Sequence, residues 1–109
     1  MTKIAHPKAI IYCRHTARND AGIQRQEDLC RDYAQQKDYD IAAVFQDNGV
    51  NGHTITRDGM DELLAYLDGS EDQHVVLVDE IVRIARSAEV HYKLIDSFAK
   101  KGASYEVCN

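Results

Sequence analysis

The 109-residue chain has only one proline and six glycines. That excludes a collagen-like repeat and argues against an extended disordered chain. Long apolar runs are also missing. The longest, around Val75-Val76-Leu77-Val78, reaches about five residues, against the roughly 18 that a membrane span needs. Met1 to Lys8 carries no apolar signal core, which predicts a cytoplasmic protein with no membrane partner. Cysteine is scarce and unpaired in pattern: Cys13, Cys30 and Cys108 form an odd set without C-x-x-C spacing. Such a set reads as reduced thiols. Zinc needs closely spaced ligand pairs, and the histidines at 6, 15, 53, 74 and 91 are scattered, so no metal or cofactor is expected. A basic surplus is lacking too. The net charge of −5 argues against a whole surface that grips DNA, yet it permits a local basic site.

What is present is a globular composition, 44% hydrophobic and 28% charged, at the length of one domain with one core. Strand and helix patterns alternate. Residues 8–13 form a compact apolar run, as in a buried strand. From Ile23 to Gln36, Leu29, Cys30, Tyr33 and Ala34 share a helical face. Asp40 to Phe45 is a second strand, and Asp47 to Gly52 is dense enough in turn residues to be a mobile loop. Asp58 is placed to cap a helix whose Met60, Leu63, Leu64 and Leu67 share one face, and Gly69 closes it. His74 to Asp79 is a third strand. Helical spacing returns near Ser87 with His91, Leu94, Ile95 and Phe98, and ends at Gly102. Ser104 to Cys108 is a last short strand. The order β-α-β-α-β-α-β predicts an α/β fold with a mostly parallel, four-stranded sheet flanked by helices.

Sites in such folds form at the carboxyl ends of the strands. The segments 14–20, 46–57 and 80–87 therefore converge. They hold four arginines, Arg14, Arg57, Arg83 and Arg86, with Arg18 and Arg25 nearby. Arginine offers phosphate oxygens a planar fork of donors. The bland alternative is surface pairing with the 18 acidic residues, each pair worth little. There is no G-x-G-x-x-G after the first strand and no Gly-rich phosphate loop, which argues against a nucleotide or flavin site.

Tyr12-x-Arg14, Gln26 with Leu29 and Tyr33-Ala34, the Asp47 to Gly52 loop, Arg57-Asp58-Gly59-Met60 with Leu63-Leu64, and Val76-Leu77-Val78 leading to Arg83-x-x-Arg86-Ser87 follow one another in a recognisable order. In that order and near that spacing, the set resembles the N-terminal catalytic domain of the serine recombinases, the resolvase/invertase family, from about residue 8 to 107. The resemblance implies a resolvase-like fold and DNA as partner. It also implies chemistry in which a serine attacks a DNA phosphodiester, forms a phosphoserine link and frees a 3′ hydroxyl without a metal. By position, Arg14, Arg57, Arg83 and Arg86 resemble the family's phosphate-binding arginines. Arg14, Arg83 and Arg86 would act in catalysis with the nucleophile, and Gln26 would support them.

The chain departs from the family at the decisive position. The family reads Arg, apolar, Ser, Thr; here the run is Arg14-His15-Thr16-Ala17. In one register Thr16 replaces the nucleophile. In another a residue is deleted and the nucleophile is absent. A threonine hydroxyl is a possible nucleophile, but its β-branch is stiff and crowds an in-line attack. His15 stands as a general base or, more blandly, as a loop-entry residue. Asn51 stands where a serine is usual, and Val82 where an aspartate is usual. The family also continues into a long dimerisation helix and a DNA-binding domain, neither of which these 109 residues contain. Three readings follow. One is a resolvase-family domain impaired in cleavage that acts through DNA phosphates or through contact with itself or a full-length recombinase. The second is an active recombinase domain with Thr16 as nucleophile. The third is an α/β domain repurposed for protein binding.

Overall fold

The computed structural model describes residues 7–49 and 58–108. Four strands, β1 (Lys8–His15), β2 (Asp40–Asn48), β3 (His74–Val78) and β4 (Ala103–Val107), form one sheet in the order β2-β1-β3-β4. All three neighbouring pairs are parallel. Three helices connect them: α1 (Asp20–Lys37), α2 (Asp58–Asp68) and α3 (Ala88–Lys100). The predicted α/β sheet is therefore present, and it is parallel throughout.

The alternation of β1 explains the layers. Ile10 and Tyr12 point to the face covered by α2 and α3, where they pack with Met60, Leu63, Leu94 and Phe98. Ala9, Ile11 and Cys13 point to the other face, against Ile23, Cys30 and Ala34 of α1. A central strand buried on both sides must be apolar throughout, and β1 is. Its register with β2 slips once: Ala9 faces Ile41 and Ile10 faces Ala43, so Ala42 is the extra residue of a bulge.

Several boundaries differ from the sequence reading. α1 begins at Asp20, because Asn19 caps it by accepting from the Gly22 N–H at 2.8 Å. Leu29, placed on the apolar face, is 37% exposed. β2 runs on through Asp47 and Asn48, so these two are strand residues, and the turn starts at Gly49 with φ of 86°. The rest of that expected loop, 50–52, lies outside the described residues, as does Arg57. β3 stops at Val78, and a single 3-10 turn, Ile81–Arg83, follows it. Ser87 is the N-cap of α3, accepting from the Val90 N–H at 3.4 Å.

Candidate active site at the carboxyl end of the sheet

β1 is longer than its neighbour on one side. Its ladder with β3 ends at Ile11 and Leu77, whereas its ladder with β2 continues to His15 and Asn48. The Arg14 backbone therefore lacks a strand partner on the β3 side, and the Gln26 side chain supplies one. The Arg14 N–H donates to Gln26 Oε1 at 2.9 Å, and Gln26 Nε2 donates to the Arg14 carbonyl at 3.0 Å. A primary amide has one donor and one acceptor side, so it imitates a peptide group. Gln26 is 3% exposed. It supports Arg14 through the main chain.

The Arg14 side chain crosses to the segment after β3. Its Nε donates to the Arg83 carbonyl at 2.9 Å, and Nη2 donates to the Val82 carbonyl. Arg14 is only 1% exposed. Val82, where the family usually has an acid, thus meets Arg14 through its carbonyl oxygen. Arg83 is held from its other end: Nε donates to Asp79 Oδ1 at 2.8 Å and Nη2 to Oδ2 at 3.3 Å. Glu80 Oε2 lies 3.2 Å from the same Nη2. The Asp79 hydrogen bond raises the Arg83 pKa above its ordinary value, more than burial lowers it. Arg86, three residues on, is exposed and makes no hydrogen bond or ion pair among the described residues.

Thr16 is exposed, in the bend just past β1. Its loop is tied down on both sides. The Asn19 N–H donates to Asn48 Oδ1 at 2.8 Å, and the Gly49 N–H donates to the His15 carbonyl at 2.8 Å. Both nitrogens of His15 have partners. Nδ1–H donates to the Ala17 carbonyl at 2.7 Å, so Nε2 is the acceptor and meets Asn19 Nδ2 at 3.4 Å. His15 is thereby part of the loop's internal bonding.

Asp47, expected in a loop, stands on β2 in register with Arg14. It is 3% exposed. Its Oδ2 accepts from Tyr12 Oη at 2.5 Å and from the Met60 N–H at 3.0 Å, and Oδ1 accepts from the Gly59 N–H at 2.7 Å. A carboxylate at a helix N-terminus satisfies orphan donors and opposes the positive end of the dipole. Asp47 therefore caps α2, where Asp58 was expected to; Asp58 is the first residue of the helix. The approach is close: a Cβ on Gly59 would lie 2.2 Å from the Gln46 carbonyl oxygen. The sequence carries no local signal for this cap, because Asp47 lies on β2, twelve residues before Gly59.

The structure thus brings Arg14, Gln26 and Arg83 into one hydrogen-bonded unit at the end of β1, with Thr16 two residues beyond Arg14 and Arg86 three beyond Arg83. Residues 9–109 match the Resolvase N-terminal domain family. The chain belongs to that family. Its fold is similar to the N-terminal catalytic domain of TP901-1 integrase, with a TM-score of 0.86 and 26% identity over 94% of this chain and 78% of that one. It is also similar to the C-terminal catalytic domain of ISC1926 TnpA, an IS607-like serine recombinase, with a TM-score of 0.83 and 25% identity over 94% and 70%. A resolvase family site-specific recombinase from Streptococcus pneumoniae shares the fold at 17% identity, with a TM-score of 0.78 over 94% and 72%. No curated protein matches the chain. The chain is accordingly a resolvase-family domain related to site-specific recombination. Among the described residues, no helix is long and apolar enough to cross a membrane.

Proposed function

We propose that this resolvase-family domain binds DNA phosphates in the cytoplasm through Arg83 and Arg86, joined by Arg57, and is impaired in strand cleavage. The observation that carries the reading is the state of Arg14. A buried guanidinium already donating to the Val82 and Arg83 carbonyls is committed to the fold, so it serves the site by fixing the arginine-bearing turn. Arg86 is exposed, and Arg83 is at the surface of the same segment, with 18% of its side chain accessible. In the register that puts Thr16 in place of the serine, its extra methyl sits on Cβ, the carbon that bears the reacting hydroxyl. As partners, DNA and a recombinase protomer, either a second copy or a full-length relative, fit this family role.

A salt-dependent titration of a labelled generic duplex tests the reading. Wild-type binding is expected to weaken as salt rises, and Arg86→Ala and Arg83→Ala are each expected to lower the salt slope by about one. Binding indifferent to both substitutions would sink it. A second reading has one observation in its favour: Thr16 is exposed, two residues past Arg14. In that reading its hydroxyl oxygen attacks a DNA phosphodiester, forms a phosphothreonine link and breaks the bond to the 3′ oxygen, which leaves with a proton as a free 3′ hydroxyl. A covalent adduct on a denaturing gel that vanishes in Thr16→Ala would establish it, whereas the impaired domain leaves no adduct.

A further inference from the structure

We propose that Asp79 is the positioning residue for Arg83: its carboxylate fixes the guanidinium so that Nη1 is presented to a DNA phosphate. The inference rests on the phosphate-binding reading above.

The geometry is that of a fork on a fork. Asp79 Oδ1 and Oδ2 meet Arg83 Nε and Nη2 at 2.8 and 3.3 Å. The two side chains are 18% and 15% exposed, so water and salt screen this pair far less than the ion pairs elsewhere on the surface. The main chain of Arg83 is pinned as well. Its N–H donates to the Glu80 carbonyl at 3.1 Å, and its carbonyl accepts from Arg14 Nε at 2.9 Å. Backbone and side chain are thus both fixed, which is the condition for a donor that must not reorganise when an anion arrives.

Asp79 takes the Nε/Nη2 edge of the guanidinium, and Glu80 Oε2 lies 3.2 Å from the same Nη2. Arg83 Nη1 meets no acceptor among the described residues. A planar fork with its Nε/Nη2 edge occupied can still donate from Nη1 to a phosphate oxygen. The neighbouring side chain, Val82, offers no carboxylate, so the orienting acid comes from the residue that directly follows β3. Asp79 sits there because the strand ends at Val78 and the 3-10 turn brings residue 83 back over it.

The sign of one measurement separates positioning from bulk charge. Removing a carboxylate beside a DNA site lowers repulsion and, acting alone, tightens binding. Removing a positioning group loosens it. In the duplex titration, Asp79→Asn is expected to weaken binding roughly five- to tenfold, and to have no weakening effect when Arg83 is already alanine. Unchanged or tighter binding in Asp79→Asn, with Arg83→Ala still weakening the wild type, would overturn this proposal and leave the phosphate reading standing. Arg83→Lys keeps the charge and loses the fork, so it is expected to bind more weakly than the wild type without altering Asp79. Wild-type-like binding by Arg83→Lys would also overturn the proposal. NMR of the arginine Nε–H gives a readout free of DNA: one slowly exchanging resonance from Arg83, lost in Asp79→Asn. A resonance unaffected by that substitution would refute the positioning role. Absence of any salt-sensitive binding by the wild type would instead overturn the phosphate reading, and this one with it.

Discussion

Two residues at the site do their work through the main chain, and each has a steep expected cost. Gln26 stands in for a missing strand at Arg14. Gln26→Leu keeps the bulk but leaves a buried N–H and a buried carbonyl unpaired, which is expected to cost about 3 kcal/mol. Gln26→Glu still accepts from the Arg14 N–H but turns an acceptor toward the Arg14 carbonyl, so it is expected to recover little of that loss. Urea unfolding of both variants checks this, and a loss under 1 kcal/mol in Gln26→Leu would mean the amide is dispensable. Gly59 is constrained by contact. A Cβ there would sit 2.2 Å from the Gln46 carbonyl oxygen and 2.7 Å from its carbon, both backbone atoms that cannot swing away. Gly59→Ala is expected to destabilise by about 3 kcal/mol, since either β2 or α2 must move. A near-neutral midpoint shift in the same assay would contradict that.

The elements β1, β2 and α2 meet at one carboxylate. Tyr12 on β1 and the Gly59 and Met60 amides of α2 all donate to Asp47 of β2. Asp47→Ala removes three partners at once from buried donors, so the first turn of α2 is expected to fray before the rest of the domain unfolds. Native-state hydrogen exchange reads this directly: the Gly59 and Met60 amides are expected to lose protection while the β1 amides keep theirs. Equal loss everywhere would mean that the contact holds the whole fold and not the helix end. This junction also shows what the sequence could reveal. The apolar spacing of Met60, Leu63 and Leu67 exposes α2 directly, because burial of one face is a local pattern. The cap was hidden because it comes from a residue on another strand. Likewise the polar start of α1 carries no apolar period, and its Asn19 cap is visible only once Gly22 is known to be helical. The arginines were legible as residues. Their division between the buried Arg14 and the exposed Arg86 was not, since it depends on which carbonyls the turn after β3 presents.

At the scale of the molecule, the α1 side of the sheet concentrates groups that resist ionisation. Burial pushes the Cys13 thiol from 9.0 up to about 12, with Glu27 and Asp79 adding to it. Cys30 is raised by a hydrogen bond to Cys108 and by burial. Tyr33 is raised from 10.0 to about 12, first by its hydrogen bond to Glu106, which it meets at 2.6 Å. Tyr39 donates to the same carboxylate and shifts in the same direction. Each of these groups is neutral when protonated, and the folded state holds its proton more tightly than the unfolded chain. The contribution of Cys13 is therefore complete below pH 9 and is lost as pH climbs toward 12; that of Tyr33 is complete below pH 10 and is lost over the range up to 12. The domain is expected to lose stability steeply above pH 9, with slope set by the protons that the unfolded chain releases and the folded chain keeps. Measuring the urea midpoint from pH 7 to 11 tests this. Tyr33→Phe is expected to be less stable than wild type at pH 7, where it forfeits the Glu106 hydrogen bond, and to fall more gently above pH 10. Parallel curves for the two proteins would show that Tyr33 carries none of the alkaline sensitivity, and would leave Tyr39 and the buried thiols as its source.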